Sequence, residues 1–113
     1  MKAKGLKALL LACLAAPLVV LAQAFPAKPV TLLITFPAGG PTDVAGRALA
    51  EATSKYLGQP VVVENRPGAT GTLGAVALAN ARPDGYTVSM TPITVLRLPH
   101  MENVAYDAMK DIQ

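Results

Sequence analysis

The segment Val30-Thr-Leu-Leu-Ile-Thr-Phe-Pro-Ala-Gly-Gly-Pro-Thr-Asp43 combines a strand pattern, a loop and a helix start. Residues 30–36 are apolar or β-branched almost throughout, which is typical of a parallel strand covered on both faces. Residues 37–42 are rich in proline and glycine and predict a loop. We expect a helix over residues 43–57, with Thr42 or Asp43 capping its first turn.

The predicted helix carries an apolar stripe at helical spacing, through which we expect it to pack on the sheet. Gly58 is predicted to end the helix, and Pro60 prevents its continuation. The members of the stripe are Val44, Ala45, Ala48, Leu49, Ala52, Tyr56 and Leu57.

Strand and helix patterns continue to alternate along the chain until Pro92, after which the apolar residues show no clear periodicity. The order β-α-β-α-β predicts an α/β fold with three parallel strands, because such connections are right-handed, and it places the first strand in the centre. The further elements are a strand over 61–63, a glycine-rich loop over 65–71, a helix over 72–81, a turn over 82–86 and a strand over 87–91.

Ligands of such sheets bind beyond the carboxyl ends of the strands, where the winding reverses. In this chain that switch point lies between the loop after the first strand, residues 37–43, and the loop after the third, residues 91–95. The topology therefore predicts a binding site between these two loops.

The amino-terminal residues read as an export signal. The 113-residue chain has a formal net charge of +3, and three lysines lie within its first seven residues. They precede an apolar run over 8–21 and the small-x-small sequence Ala22-Gln-Ala24, so residues 1–24 are predicted to be a signal peptide cleaved after Ala24, with a periplasmic mature chain. An uncleaved anchor and lipidation at Cys13 are the alternatives.

The predicted mature chain, residues 25–113, is neutral and has no cysteine and a single His100. Scattered basic residues and few aromatics argue against nucleic acid as a partner. The composition also excludes disulfides and zinc–thiolate sites. We expect no metal, no cofactor and no catalytic residues, since nothing in the chain assembles a nucleophile, a base and an oxyanion site.

The loop after the first strand is the strongest candidate site. Gly39 and Gly40 permit close approach of a ligand, and the following helix directs free N–H groups at the loop, which suits a carboxylate or phosphate. A tight turn without ligand is an equal alternative. The segment lacks the Gly-Lys-Ser/Thr ending of a P-loop, which argues against a nucleotide triphosphatase.

The role of Asp43 in this loop is a separate question. Its carboxylate would repel a bound carboxylate, so we favour helix capping as its role over direct contact with the ligand.

Two further loops carry polar groups of weaker significance. Thr91 and Thr94 follow the third strand and could bond ligand oxygens, or serve only the turn. Arg66 could pair with a carboxylate, but its loop follows the second strand, so a structural role is favoured.

Several ordered segments resemble the tripartite tricarboxylate transporter receptors, also called Bug-type periplasmic binding proteins. The resemblance covers essentially the whole of residues 25–113. It is carried by Phe25-Pro-Ala-Lys-Pro-Val30, Phe36-Pro-Ala-Gly-Gly-Pro-Thr-Asp43, Leu57-Gly-Gln-Pro-Val-Val-Val-Glu-Asn-Arg-Pro-Gly68, Gly71-Thr-Leu-Gly-Ala75, Pro83-Asp-Gly-Tyr86, Arg97-Leu-Pro-His-Met101 and Tyr106-Asp107.

The resemblance implies a two-lobed Venus-flytrap fold, of which residues 25–113 form the start of the first lobe, with the second lobe absent. It implies a monomeric receptor, not an enzyme, that binds a small carboxylate and delivers it to membrane transporter subunits. We expect weak or no carboxylate binding by this part alone. A non-functional or structural fragment is the main alternative, and a phosphate-handling enzyme a lesser one. The implied ligand-binding residues are Ala38, Gly39, Gly40, Thr42, Asp43, Thr91 and Thr94.

Overall fold

The structure is a computed structural model that describes residues 24–112. The predicted signal peptide lies outside the described residues except for Ala24. Between residues 24 and 112, no helix is long and apolar enough to cross a membrane.

Three parallel strands form the sheet, in the order β2-β1-β3. Strand β1 (Val30–Ile34) lies in the centre, with β2 (Val61–Asn65) on one side and β3 (Thr87–Met90) on the other. Ile34 is aligned with Asn65 in β2 and with Met90 in β3, so the three strands end at one edge. The predicted α/β class, topology and central first strand are confirmed.

Two helices cover the two faces of this sheet. Helix α1 (Pro41–Leu57) connects β1 to β2, and α2 (Thr72–Ala79) connects β2 to β3. Helix α2 and β3 end slightly earlier than predicted, whereas β2 extends two residues further. The region after Pro92, whose sequence shows no clear hydrophobic periodicity, contains a short helix α3 (Thr94–Arg97) and a 3-10 turn over Leu98–His100.

The start of α1 differs from the prediction. The helix begins at Pro41, because proline suits the first helical position, where its fixed φ is already helical and no N–H is needed. Its N-cap is Gly40, with no side-chain cap. The predicted capping role of Thr42 or Asp43 is therefore wrong. The predicted stop is confirmed, since Gly58 has a left-handed φ of 67° and donates its N–H to the Ser54 carbonyl.

The predicted packing face of α1 is also wrong. The buried residues of this helix are Asp43, Gly46 and Ala50, whereas Val44 and Tyr56 of the predicted stripe are exposed. Gly46 is the point of closest approach, because a Cβ atom there would collide with Ile34 Cδ1 and lie 3.3 Å from Met90 Sδ. The helix therefore packs through its smallest residues, which a hydrophobic pattern does not register.

The opposite face of the sheet is closed by α2 and the segment after β3. Gly74 of α2 lies against Thr35, and Ala75 is fully buried. Tyr106 anchors the last segment by donating its hydroxyl to the Val95 carbonyl at 2.7 Å. This satellite core orders the chain that follows β3. Its buried members are Ala75, Val95, Tyr106 and Ala108.

Candidate functional site

The loops that follow β1, β2 and β3 meet at the carboxyl edge of the sheet and enclose a groove of about 380 Å³. The predicted meeting of the loops after the first and third strands is confirmed, because residues of both line this groove. The loop after β2 contributes as well. The lining residues are Thr35, Phe36, Pro37, Pro67, Gly68, Thr70, Gly71, Pro92 and Thr94.

One wall of this edge is organised by the carboxylate of Asp43, which is only 3% exposed. Its Oδ2 accepts the Gly39 N–H at 2.8 Å and the Arg47 Nε–H at 2.9 Å. Its Oδ1 accepts an N–H from Asn65 Nδ2 at 2.8 Å. Asp43 therefore connects the loop of residues 37–40, the first turn of α1 and the end of β2.

The two side chains that bind Asp43, those of Arg47 and Asn65, are also hydrogen-bonded to each other. Asn65 also donates to the Phe36 carbonyl at 3.1 Å and accepts from Arg47 Nη2 at 3.0 Å. The pKa of the Asp43 carboxyl is held well below its usual range, because hydrogen bonds to its oxygens favour the ionised form. The bond from Arg47 has the largest effect, followed by those from Gly39 and Asn65. The Asp43 carboxylate is therefore ionised, neutralised by Arg47 and occupied by protein donors.

The loop after β2 has an unusual backbone. Four consecutive residues have positive φ: Gly68 at 123°, Ala69 at 46°, Thr70 at 54° and Gly71 at 95°. Left-handed backbone is disfavoured for residues with a Cβ atom, and such conformations cluster at functional sites. The turn brings Thr70 and Gly71 to the groove. There the Thr70 carbonyl accepts from Thr94 Oγ1 at 3.2 Å.

Replacing Gly71 by alanine tests how closely these loops are packed. A Cβ at Gly71 would lie 2.9 Å from Pro92 Cγ and 3.4 Å from Val95 Cγ2, in addition to the left-handed φ. We expect a loss of about 2–3 kcal/mol in the free energy of unfolding, measured by urea denaturation. Gly58→Ala is the control, because its φ is 67° with open space around it, and should cost about 1 kcal/mol. Equal losses would contradict the close contact.

The predicted site residues occupy the edge in two groups. In the first, Ala38 and Gly39 are exposed, Gly40 and Thr42 are half-buried and Asp43 is buried. None of these five lines the groove, which this loop reaches only through Phe36 and Pro37. In the second, Thr94 is exposed, lines the groove and begins α3, and Thr91 is half-buried between β3 and Pro92.

The loop after β2 contributes more to the candidate site than its sequence predicts. The side chain of Arg66 is exposed and its Nε–H donates to Glu64 Oε1 at 2.7 Å, which agrees with the predicted structural role. The following residues 68–71, however, form part of the groove. The two glycines that flank residues 69–70, directly before a helix, are the signal that could have predicted this.

A family model described as the tripartite tricarboxylate transporter family receptor (TctC) matches residues 44–113, more than half of the chain. The chain belongs to this family. The chain is 43% identical to Protein BugT of Bordetella pertussis over 103 residues, which cover 88% of the chain and 31% of BugT. The resemblance noted in the sequence is thus confirmed.

Solved structures agree with this assignment. MatC from Rhodopseudomonas palustris with bound malate matches with a TM-score of 0.69 and 38% sequence identity, and the match covers 77% of this chain and 30% of MatC. An R. palustris protein with adipate has a TM-score of 0.56 and 38% identity, covering 57% and 22%. The chain spans about 30% of the length of the curated relatives it matches.

Family membership decides between the function classes left open by the sequence. The family consists of solute-binding receptors, and its structures include periplasmic binding proteins. The expectation that the chain is not an enzyme is confirmed on this ground. The phosphate-handling enzyme is therefore set aside.

Proposed function

We propose that this receptor binds a small carboxylate in the periplasm and delivers it to the membrane subunits of a tripartite tricarboxylate-type transporter. The observation that carries the proposal is the 38% identity to structures that hold malate and adipate. Export by the signal peptide of residues 1–24, with cleavage after Ala24, is part of the proposal. We also propose that the receptor acts as a monomer.

We place the ligand carboxylate at the carboxyl edge of the sheet. The first helical hydrogen bond of α1 is donated by Val44 to the Gly40 carbonyl at 3.0 Å, so the N–H groups of Thr42 and Asp43 precede the helical ladder. Such N–H groups and the helix dipole attract anions. The hydroxyls of Thr91 and Thr94 would form the second edge of the site.

The ion pair between Asp43 and Arg47 removes the main objection to this placement, which is repulsion between the Asp43 carboxylate and a ligand carboxylate. An isolated carboxylate would repel the carboxylate of a ligand. Here its charge is compensated by Arg47, and its oxygens accept from three protein donors. Asp43 therefore holds the loop of residues 37–40 in position, and we propose no direct bond between Asp43 and the ligand. Such a bond would suit a ligand that also carries an amino group.

Titration of the ¹⁵N-labelled chain with malate or adipate tests the proposal. We expect amide shift changes confined to Gly40, Thr42, Gly71 and Thr94, with a dissociation constant on the order of 1 mM or weaker, because a second lobe is needed for tight binding. Adipamide, which has the same length and no carboxylate, is the matched control. Unchanged spectra at high ligand concentration would support the alternative of a non-functional fragment. Shifts reproduced by adipamide would contradict carboxylate recognition.

A further inference from the structure

The groove between the loops after β1, β2 and β3 is separate from the start of α1, since neither Gly40 nor Thr42 lines it. Its volume of about 380 Å³ is that of a small-molecule site, which commonly encloses ~300–1,000 Å³. Phe36 and three prolines form most of its walls. Among its lining residues, all in the described part of the chain, none is charged and none has a side-chain amide. The prolines are Pro37, Pro67 and Pro92.

The hydroxyl groups of the groove are bonded to the protein itself. Thr35 is 3% exposed and donates its hydroxyl to the Met90 carbonyl at 3.4 Å. Thr94 Oγ1 donates to the Thr70 carbonyl at 3.2 Å. Burying a polar group costs free energy unless a hydrogen bond replaces its lost water. Hydroxyl or charged groups of a ligand would be poorly compensated in this groove, whereas a hydrocarbon portion would gain by leaving water.

The groove adjoins the place where we put the ligand carboxylate. Phe36 and Pro37 form its wall on the β1 side, and the Gly40 N–H donates to the Pro37 carbonyl at 3.4 Å. This bonded turn leads directly into α1, which begins at Pro41. A molecule whose carboxylate meets the first N–H groups of α1 can therefore place its next carbon atoms in the groove.

We propose that this groove is the subsite for the hydrocarbon body of the ligand, so that the receptor prefers carboxylates with an unsubstituted aliphatic or aromatic body over hydroxylated ones. The inference rests on the proposed function, because it needs the carboxylate to be held at the start of α1. It adds Phe36, Pro67 and Pro92 as residues that select the ligand. Apolar walls recognise the area of hydrocarbon that they cover, so chain length should govern affinity.

A series of straight-chain carboxylates tests the proposal. Butanoate, pentanoate and hexanoate are titrated against the ¹⁵N-labelled 113-residue chain at constant ionic strength. We expect the dissociation constant to decrease roughly fourfold with each added methylene group, as for a buried hydrocarbon chain. 3-Hydroxybutanoate, which has the length of butanoate and one hydroxyl more, should bind roughly threefold more weakly than butanoate.

The outcomes separate this inference from the proposed function. Equal dissociation constants along the series would overturn the hydrocarbon subsite and leave carboxylate binding at α1 in place. The absence of shift changes with every acid would reject the proposed function, and the subsite with it. Hexanamide is the control for the carboxylate, and binding of hexanamide as tight as that of hexanoate would show that the groove acts without the start of α1, contrary to the proposal.

Matched variants locate the subsite. Phe36→Ser should lower the ratio of hexanoate to butanoate affinity roughly threefold or more, because it removes part of an apolar wall. Phe36→Leu keeps that wall apolar and should retain most of the ratio. Tyr56→Ser is the control, since this aromatic side chain is 92% exposed and does not line the groove.

Circular dichroism checks the folding of these variants, and Pro67→Ser replaces Phe36→Ser if the latter unfolds the chain. Nuclear Overhauser contacts should join the hexanoate chain to the Phe36 ring. Equal affinity ratios for the groove variant and Tyr56→Ser would overturn the proposal. So would hexanoate contacts with Leu49 and Val88, which line a different apolar surface.

Discussion

Gly46→Val is expected to destabilise the chain by about 3 kcal/mol or more. The added carbons would enter the contact between α1 and the sheet, where Ile34 is completely buried and cannot move aside. A small domain has little stability to lose, so we expect a largely unfolded protein at physiological temperature. Urea denaturation followed by circular dichroism measures the effect.

Gly46→Ala provides a sharper form of the same prediction. In an exposed helix interior, alanine is favoured over glycine by roughly 1 kcal/mol. At Gly46 the sign should reverse, because the new methyl group would collide with Ile34 Cδ1. Ala45→Val is the control on the exposed face and should change stability by about 0.5 kcal/mol at most. A stabilising Gly46→Ala would contradict the close packing of α1.

Asp43→Asn should lower the melting temperature by roughly 5–15 °C at neutral pH. The Gly39 N–H and the Arg47 Nε–H both point at Oδ2, and the Asn65 amide points at Oδ1. An asparagine amide group would face a donor in either orientation, since only one of its two terminal atoms accepts hydrogen bonds. Glu51→Gln is the matched control, because its ion pair with Lys55 is exposed on the same helix. Equal melting temperatures for the two variants would contradict the network.

The same variant should change the pH dependence of stability. The pKa of Asp43 is held below its usual range, first by Arg47 and then by the Gly39 N–H and the Asn65 amide. Its stabilising contribution is therefore complete above the unfolded pKa of about 4 and is lost as the pH falls toward the folded value. The pKa values of Asp84 and Asp107 are also lowered and act in the same direction.

We accordingly expect the melting temperature of the unmodified chain to decrease below pH 4. The Asp43→Asn chain should show a flatter profile, with part of the decrease retained through Asp84 and Asp107. Thermal melts between pH 7 and pH 2 give this comparison directly. Parallel profiles for the two proteins would show that Asp43 is not ionically stabilised in the folded state.

Much of the candidate site could be located from the sequence because its position follows from topology. A β-α-β-α-β order brings the loops after the first and third strands to one edge, whatever the side chains are. The role of Asp43 could not be predicted in the same way. Its partner Asn65 lies 22 residues away in the chain, and only the parallel pairing of β1 with β2 brings the two together.

The sequence by itself determined the alternation of strands and helices, the stop of α1 at Gly58 and the family to which the chain belongs. These properties rest on local patterns and on ordered motifs. Only the tertiary structure decided which face of α1 is buried and that the loop after β2 shares the groove. These depend on contacts between distant residues, and the decisive ones are made by glycines and a neutralised carboxylate, which carry no hydrophobic signal.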